Sequence, residues 1–144
     1  MKILSVSALV CERLLQEEDR VPSAIRLADI FQLPTYSPPL PSALQVIDVS
    51  LLVVIKATET DESNHRVLVT MTRPDGEVTE MFSHEGVRFA NFTPFAETPS
   101  GVSLGLRFHI SAKILGVHFF KIFLNGELIA TTAFTILEQA EELR

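Results

Sequence analysis

Two-residue alternation of apolar and polar side chains is the feature that most limits what this chain can fold into. In a β-strand, residues i and i+2 share a face, so an alternating run presents one apolar face that a core can cover. The alternation therefore predicts half-buried antiparallel strands. The clearest runs lie at residues 46–56, 67–72 and 104–111.

Turn-forming residues separate these runs. Asn125-Gly126 lies between the apolar segments 117–124 and 128–136 and is the preferred pair for a type I′ hairpin turn, in which both residues take a positive φ. Pro74-Asp75-Gly76 predicts a second turn, between residues 65–73 and 77–82. Weaker breaks lie at residues 59–64, 93–101 and 113–116, and the proline-rich residues 34–41 predict an extended crossing segment.

Near the start, residues 3–11 and 23–31 read as strands joined by the charged residues 12–20, where a helical turn fits. Residues 136–144 are good helix formers that form a short helix or fray. With 144 residues, the chain has the usual length of one domain. We therefore expect a single all-β domain over residues 1–144, an antiparallel β-sandwich of about eight strands. Its topology is immunoglobulin-like or Greek-key, with at most a short helix near the start and at the C-terminus.

Composition limits the compartment and the partners. The formal net charge is −6, from 12 basic and 18 acidic residues, and no basic stripe is present, so no nucleic-acid partner is expected. Cys11 is the single cysteine, so no intrachain disulfide forms. Residues 2–11 faintly imitate a lipoprotein signal, but a first strand is the preferred interpretation. Since no apolar run approaches a membrane span, the sequence predicts a soluble cytoplasmic protein without membrane contact.

Three segments carry a resemblance to a known family. They are the Cys11-Glu12 pair, the segment Ile25-Arg26-Leu27-Ala28-Asp29, and the C-terminal run of residues 116–127, GVHFFKIFLNGE. Together they resemble a family of short bacterial proteins of unknown function over nearly the whole chain. His118 stands where that family's pattern favours an aromatic residue. The resemblance implies a β-sandwich and leaves activity open.

Patterns typical of catalysis are weak. Residues 101–105 fit the G-x-S-x-G pattern of serine hydrolases, but an alternating strand follows Ser103 where that motif needs a helix. Glu12 and Asp29 form a carboxylate pair only if their strands are neighbours in the right register, which the sequence does not fix. Cys11 has no recognisable catalytic partner and is interpreted as a small buried apolar residue.

Metal-binding patterns are equally weak. The four histidines, His65, His84, His109 and His118, show none of the close spacings of zinc sites. His109 alternates onto a polar face beside Arg107, and His118 shares its parity with apolar residues, which predicts a packed histidine with one ring nitrogen hydrogen-bonded. The acidic residues Glu59, Asp61 and Glu62 lack the spacing of a calcium loop. No metal and no cofactor are therefore expected.

The segment 117–124 is apolar on both faces. One parity holds Phe120, Ile122 and Leu124, and the other holds Phe119 and Phe123. A strand that is apolar on both faces is normally covered on both faces. The cover is another part of the chain or a second subunit, and both alternatives stay open. For the second, we expect an interface through Phe119, Phe123 and Ile129, with a homodimer or another protein as the partner.

These observations favour a non-catalytic interaction or binding module. Most of the ten phenylalanines are expected to be structural, and the absence of tryptophan argues against a carbohydrate-binding module. The alternative is a small enzyme or a ligand-binding β-sandwich with a polar site at one loop end. The residues expected at such a site are His84, Glu85 and Arg88, with His84-Glu85 in a turn.

Overall fold

A computed structural model of the chain describes residues 2–16, 22–27, 29–33, 45–58, 61–89 and 100–138. Within these ranges it contains nine β-strands and no helix. The predicted all-β class is therefore confirmed. The strands are β1 (Ile3–Gln16), β2 (Pro22–Leu27), β3 (Ile30–Leu33), β4 (Val46–Ala57), β5 (Asp61–Thr72), β6 (Val78–Phe89), β7 (Ser100–Ser111), β8 (Gly116–Leu124) and β9 (Glu127–Glu138).

The described strands form two sheets. The first has the order β2-β1-β4-β7, and its neighbouring strands are all antiparallel. The second has the order β3-β9-β8-β5-β6, in which β3 runs parallel to β9 and the other pairs are antiparallel. The chain therefore changes sheet five times, between β2 and β3, β3 and β4, β4 and β5, β6 and β7, and β7 and β8.

One hydrophobic core is shared by both sheets. Every second residue of β4 from Val49 to Ala57 is fully buried, as the alternation predicts, and every second residue is also buried from His65 to Met71 in β5 and from His118 to Leu124 in β8. Each large apolar side chain that is buried in this way stabilises the fold by roughly 1.5–3 kcal/mol. The fully buried side chains of this core include Val49, Leu51, Val53 and Ile55 from the first sheet and Val67, Val69, Phe120, Ile122, Phe134 and Ile136 from the second.

Several predicted boundaries are corrected. β1 stays extended through Gln16, so the helical turn predicted within residues 12–20 is wrong for residues 12–16. The segment 23–31, predicted as one strand, is divided between β2 and β3 in different sheets. β9 stays extended through Glu138. The charged end of β1 is a strand because β2 supplies its backbone partners, and pairing of this kind overrides local propensity. The predicted segments at residues 17–20, 34–41, 93–99 and 139–144 lie outside the described residues.

The β8–β9 turn has the predicted primed geometry. Asn125 has a φ of 50° and Gly126 a φ of 83°, which is the conformation that a type I′ turn requires. The second predicted turn is also confirmed, because Gly76 has a φ of 87° and the Arg73 N–H donates to the Glu77 carbonyl at 2.9 Å.

Gly126→Val is expected to lower the free energy of unfolding by about 1–2 kcal/mol, because a β-branched residue is strained at positive φ. A Cβ at this position meets no atom within 4 Å, so the loss arises from the backbone alone. Urea denaturation measures it. An unchanged unfolding midpoint would mean that the turn relaxes at no cost.

A β-bulge in this hairpin reverses the face of Ile129. Ile122 pairs with Ala130, but the next residue, Phe123, pairs with Leu128, so Ile129 is the extra residue. Ile129 packs against the core. Its predicted place beside Phe119 and Phe123 is therefore wrong, because one inserted residue shifts the two-residue alternation to the opposite face.

The second half of β1 crosses the outer face of the first sheet. β4 lies between β1 and β7 in the sheet, yet the Leu14 Cδ1 lies 3.4 Å from the position of a Cβ on Gly105 in β7. β1 therefore bends over β4, and Gly105 leaves room for Leu14. On β1 itself, Cys11 is fully buried, its thiol donates to the Ser50 carbonyl at 3.8 Å, and burial raises the pKa of Cys11. The interpretation of Cys11 as a small buried residue is confirmed.

Candidate functional site

A cavity of about 530 Å³ lies between β1 of the first sheet and the β8–β9 turn of the second. Its volume is within the range of pockets that hold small ligands. Most of the lining side chains are apolar, and three are polar. The lining residues are Ile3, Val6, Leu124, Leu128 and Ile129, with His65, Asn125 and Glu127.

A chain of hydrogen bonds connects β5 to the turn at this cavity. The Asn125 Oδ1 accepts from the Arg66 backbone N–H at 3.0 Å, and the Asn125 backbone N–H donates to the Arg66 carbonyl at 2.8 Å. The Asn125 Nδ2 lies 2.8 Å from the His65 Nδ1, and the His65 Nε2 lies 3.3 Å from the Ser63 Oγ. The His65 ring is 7% exposed and packs edge-on against Phe89 at 5.3 Å.

The donor and acceptor atoms of these contacts fit one neutral tautomer of His65. A backbone N–H can only donate, so the amide oxygen of Asn125 faces Arg66 and the amide nitrogen faces His65. That nitrogen also only donates, so the His65 Nδ1 is an acceptor without a proton. In the neutral ring the proton is therefore on Nε2, which donates to the Ser63 oxygen.

The resulting tautomer is the reverse of the one used in serine catalysis. In a Ser-His-Asp triad the acid accepts from the histidine Nδ1–H, so that Nε2 is free to take the serine proton. Here Asn125 donates to Nδ1 and the His65 Nε2–H points at Ser63. His65 and Asn125 of this group line the cavity, and in this tautomer the His65 Nε2 presents no lone pair to Ser63.

A second histidine lies at the opposite end of β8. The His118 side chain is fully buried, its Nδ1–H donates to the Gly116 carbonyl at 3.1 Å, and its ring stacks on Phe134 at 5.0 Å. This confirms the predicted packed histidine. Burial lowers the pKa of His118, and the nearby Arg73 acts in the same direction. The Arg73 guanidinium pairs with Asp75 and Glu77 in the β5–β6 turn.

The lowered pKa of His118 predicts a pH dependence of stability. An unfolded-state histidine takes up a proton as the pH falls below about 6.5, while the folded chain still holds His118 neutral. The unfolded state then binds more protons, so the free energy of unfolding falls as the pH drops below this value. We expect His118→Phe to show a smaller loss than the wild type between neutral and mildly acidic pH, as measured by urea denaturation. Parallel losses in both proteins would contradict this.

The residues expected at a loop-end site lie elsewhere. His84 and Glu85 are within β6 and not in a turn, so the predicted turn is wrong. The pairing of β6 with β5 shifts register between His84 and Val87. Arg88 is exposed, and its Nε donates to the Asn64 Oδ1 at 3.0 Å. A ligand-binding role for His84, Glu85 and Arg88 stays a prediction.

Other candidates are also located. Ser103 is exposed within β7, with strand residues on both sides, so the G-x-S-x-G pattern here is part of a strand. Glu12 is on β1, whereas the Asp29 carbonyl accepts from the Thr135 N–H in the second sheet at 2.7 Å, so they do not lie on paired strands. His109 is exposed beside Arg107 and pairs with Asp48 across the strands.

The metal candidates give no cluster in the described structure. Asp61 and Glu62 belong to β5, so the acidic loop predicted over residues 59–64 is a strand from Asp61 onward, and Glu59 lies outside the described residues. Across the described ranges, no three His, Cys, Asp or Glu side chains lie together in a way that holds a metal ion. The same residues include no helix that is long and apolar enough to cross a bilayer.

Of the three residues expected at an interface, Phe119 and Phe123 share the outer face of β8, and Ile129 does not. Phe119 is 41% exposed and Phe123 is half-buried on the outer face of β8, with Lys121 between them. The expected cover on both faces of β8 is thus incomplete within the part of the chain that the structure describes. Association through Phe119 and Phe123 stays a prediction, without Ile129.

Sequence reasoning missed the Ser63–His65–Asn125 group. One signal was present, because His65 shares its parity with the buried residues Val67, Val69 and Met71. A polar residue on a core face needs a partner. Its partner Asn125 is 60 residues away in the sequence, and only the β5–β8 pairing identifies it.

No family model matches this chain, and no curated protein matches it. The predicted relationship to a bacterial family is therefore neither supported nor contradicted. Among solved structures, the chain is similar to the Pseudomonas fluorescens alkylpurine DNA glycosylase AlkC bound to DNA containing an abasic site analog. The identity is 13% and the TM-score 0.39, and the match covers 75% of this chain and 27% of that chain.

The chain thus spans about a quarter of the length of AlkC. AlkC is bound to DNA in that structure, and the prediction of no nucleic-acid partner is therefore corrected and withdrawn. At this TM-score the likeness carries no argument about what the present chain binds.

Proposed function

We propose that the protein is a non-catalytic binding module that holds a small ligand with both polar and apolar groups in the cavity between β1 and the β8–β9 turn. The cavity itself carries the proposal. Its volume of about 530 Å³ is within the range of small-ligand pockets, and its lining combines five apolar side chains with polar groups that supply most of the surface facing the cavity. The polar lining residues His65, Asn125 and Glu127 would orient the polar groups of the ligand.

Packing and hydrogen bonds hold the walls of this cavity in place. Ile129 reaches the cavity because of the β-bulge, and Val6 reaches it from the other sheet. His65 is held by Asn125 and by packing on Phe89. A site built on paired strands changes little on binding, which lowers the entropic cost of association.

The proton position on His65 supports binding over catalysis. A general base must present a lone pair to the proton that it removes. In the tautomer that Asn125 imposes, His65 presents an N–H to Ser63. Nitrogen-15 NMR of the imidazole is expected to show the proton on Nε2, and a proton on Nδ1 with an unprotonated Nε2 would instead favour the small-enzyme alternative.

Binding is tested with the fluorescent probe anilinonaphthalene sulfonate, which combines apolar rings with a charged sulfonate. We expect saturable binding to the folded wild type and at least about a tenfold loss of affinity in Ile129→Trp, because the larger ring fills the cavity. Val117→Trp is the matched control, because Val117 is 44% exposed and is not among the cavity residues. Equal affinity in the two variants would place the probe elsewhere and exclude this cavity as the site.

We also propose the finer fold assignment, an immunoglobulin-like or Greek-key sandwich. Support comes from the core shared by two sheets and from the repeated changes of sheet along the chain. The proposal retains membership of the bacterial family of unknown function. It also retains a cytoplasmic location, which rests on the single, buried cysteine.

A further inference from the structure

We propose that the outer edge of β7, which pairs with no other described strand, pairs with the β7 edge of a second copy of this chain, which joins the two first sheets into one continuous sheet. β7 is an edge strand of the first sheet. In the described part of the chain its partner is β4, along twelve consecutive residue pairs without a bulge. A long, regular edge of this kind is a template for a further strand.

The backbone direction shows which groups are available. The Ala112 N–H donates to the Gln45 carbonyl at 2.8 Å, in the same register as the β4–β7 ladder. In an antiparallel pair, residues alternate between those that bond the partner and those that point away from it. The even residues of β7 therefore bond β4, and the odd residues point their N–H and C=O groups to the outer edge. These are Gly101, Ser103, Gly105, Arg107, His109 and Ser111.

A two-fold axis at Leu106 pairs all six of these residues. It places Gly101 opposite Ser111, Ser103 opposite His109, and Gly105 opposite Arg107 of the partner copy. Shifting the axis to Gly105 leaves Ser111 without a partner in the strand. A two-fold contact needs a self-complementary surface, and the Leu106-centred register is the one in which the whole edge complements itself.

The side chains agree with this register. On the outer face, Arg107 lies opposite Gly105 of the partner copy, beside the Leu14 that covers it, and His109 lies opposite Ser103, so no like charges are directly opposed. On the inner face, Leu106 meets its own copy and Leu104 meets Phe108. Leu104 and Leu106 are only half-buried in the single chain, so pairing would cover apolar surface that the edge leaves accessible.

The other long edge strand, β6, has irregular pairing, which is a feature that usually protects natural sheet edges from a further strand. β6 is an edge strand of the second sheet, and its pairing with β5 is interrupted by register shifts at three places. Such irregularities discourage the addition of a strand. β6 also runs near β7 but pairs only with β5 among the described strands. The contrast singles out β7 as the edge that accepts a partner.

The first test is the mass of the full chain in solution, by light scattering and sedimentation over a range of concentrations. We expect a wild-type dimer and a folded Ser103→Pro monomer, because proline removes an edge-facing N–H and leaves the bonds to β4 in place. Ser103→Ala keeps the N–H and should stay dimeric. Phe119→Asp alters the outer face of β8 and should also stay dimeric. A monomeric wild type, or a dimer lost in Phe119→Asp and kept in Ser103→Pro, would overturn the proposal.

The second test reads the register and does not depend on Ser103→Pro folding. Leu106→Cys places two cysteines directly opposite each other, at a separation that a disulfide spans. We expect a covalent dimer on mild oxidation, visible on a non-reducing gel. Leu104→Cys is the matched control, because Leu104 lies opposite Phe108 of the partner and should cross-link poorly. Equal cross-linking of both variants would contradict the Leu106-centred register, and failure of Leu106→Cys to cross-link would contradict the pairing itself.

Discussion

Phe134→Ala is expected to lower the free energy of unfolding by about 3–5 kcal/mol, the usual loss for truncating a fully buried phenylalanine. Phe134 is 1% exposed. Its ring lies 5.8 Å from Phe31, 5.1 Å from Phe120 and 5.0 Å from His118. The truncation removes three ring contacts at once and leaves a cavity between β3, β8 and β9. Urea denaturation with a two-state fit measures the loss.

Phe119→Ala is the matched control for this prediction. Phe119 pairs with Ala133 in the same hairpin, but its ring is on the outer face and is 41% exposed. We expect a loss of about 1 kcal/mol or less, because much of the ring already contacts water. Similar losses for both variants would show that Phe119 is covered in solution, and would count against the exposed outer face described above.

The second large effect is expected for Asn125→Ala, at about 2–4 kcal/mol. Alanine is strained by about 1–2 kcal/mol in the left-handed conformation that Asn125 adopts. The substitution also removes the donor to the His65 Nδ1 and the acceptor for the Arg66 N–H. His65 is buried, so losing the donor to its Nδ1 costs about 1–3 kcal/mol, whereas the Arg66 N–H is exposed and can bond to water in place of Asn125.

Asn125→Gly separates these two causes. Glycine adopts a positive φ without strain, so the difference between the alanine and glycine variants gives the backbone contribution, and the remaining loss gives the side-chain contribution. Thermal and urea unfolding of the three proteins measure both. If glycine restores wild-type stability in full, the hydrogen bonds to His65 and Arg66 contribute nothing, and Asn125 does not organise the cavity wall.

Local patterns predicted the local features of this fold. The alternation at residues 46–56 and 104–111 predicted the buried faces of β4 and β7, and Asn125-Gly126 predicted the β8–β9 turn with its positive φ values. Each of these depends on neighbours within a few residues. The parity of His118 with Phe120 and Ile122 likewise predicted its burial.

Features that depend on pairing between distant residues were not predicted. The sequence does not show that residues 23–31 divide between two sheets, because β2 is held by β1 and β3 by β9. Alternation also gives the wrong face for Ile129, since a bulge appears only when the partner strand is known. The candidate cavity depends on this bulge and on the packing of the two sheets, because Ile129 lines it beside Val6 of the other sheet.

The parallel pairing of β3 with β9 has a consequence for the order of folding. Ile30 lies opposite Thr135, 105 positions later in the sequence, whereas β8 and β9 are joined by a two-residue turn. Closing a long loop has an entropic cost that must be met before its contacts stabilise the chain. β3 has only four residues, so few contacts are available to offset that entropic cost. The β8–β9 hairpin can therefore form early as a local nucleus. β3 then docks onto it late, and Phe31 packs against a Phe134 ring that is already ordered.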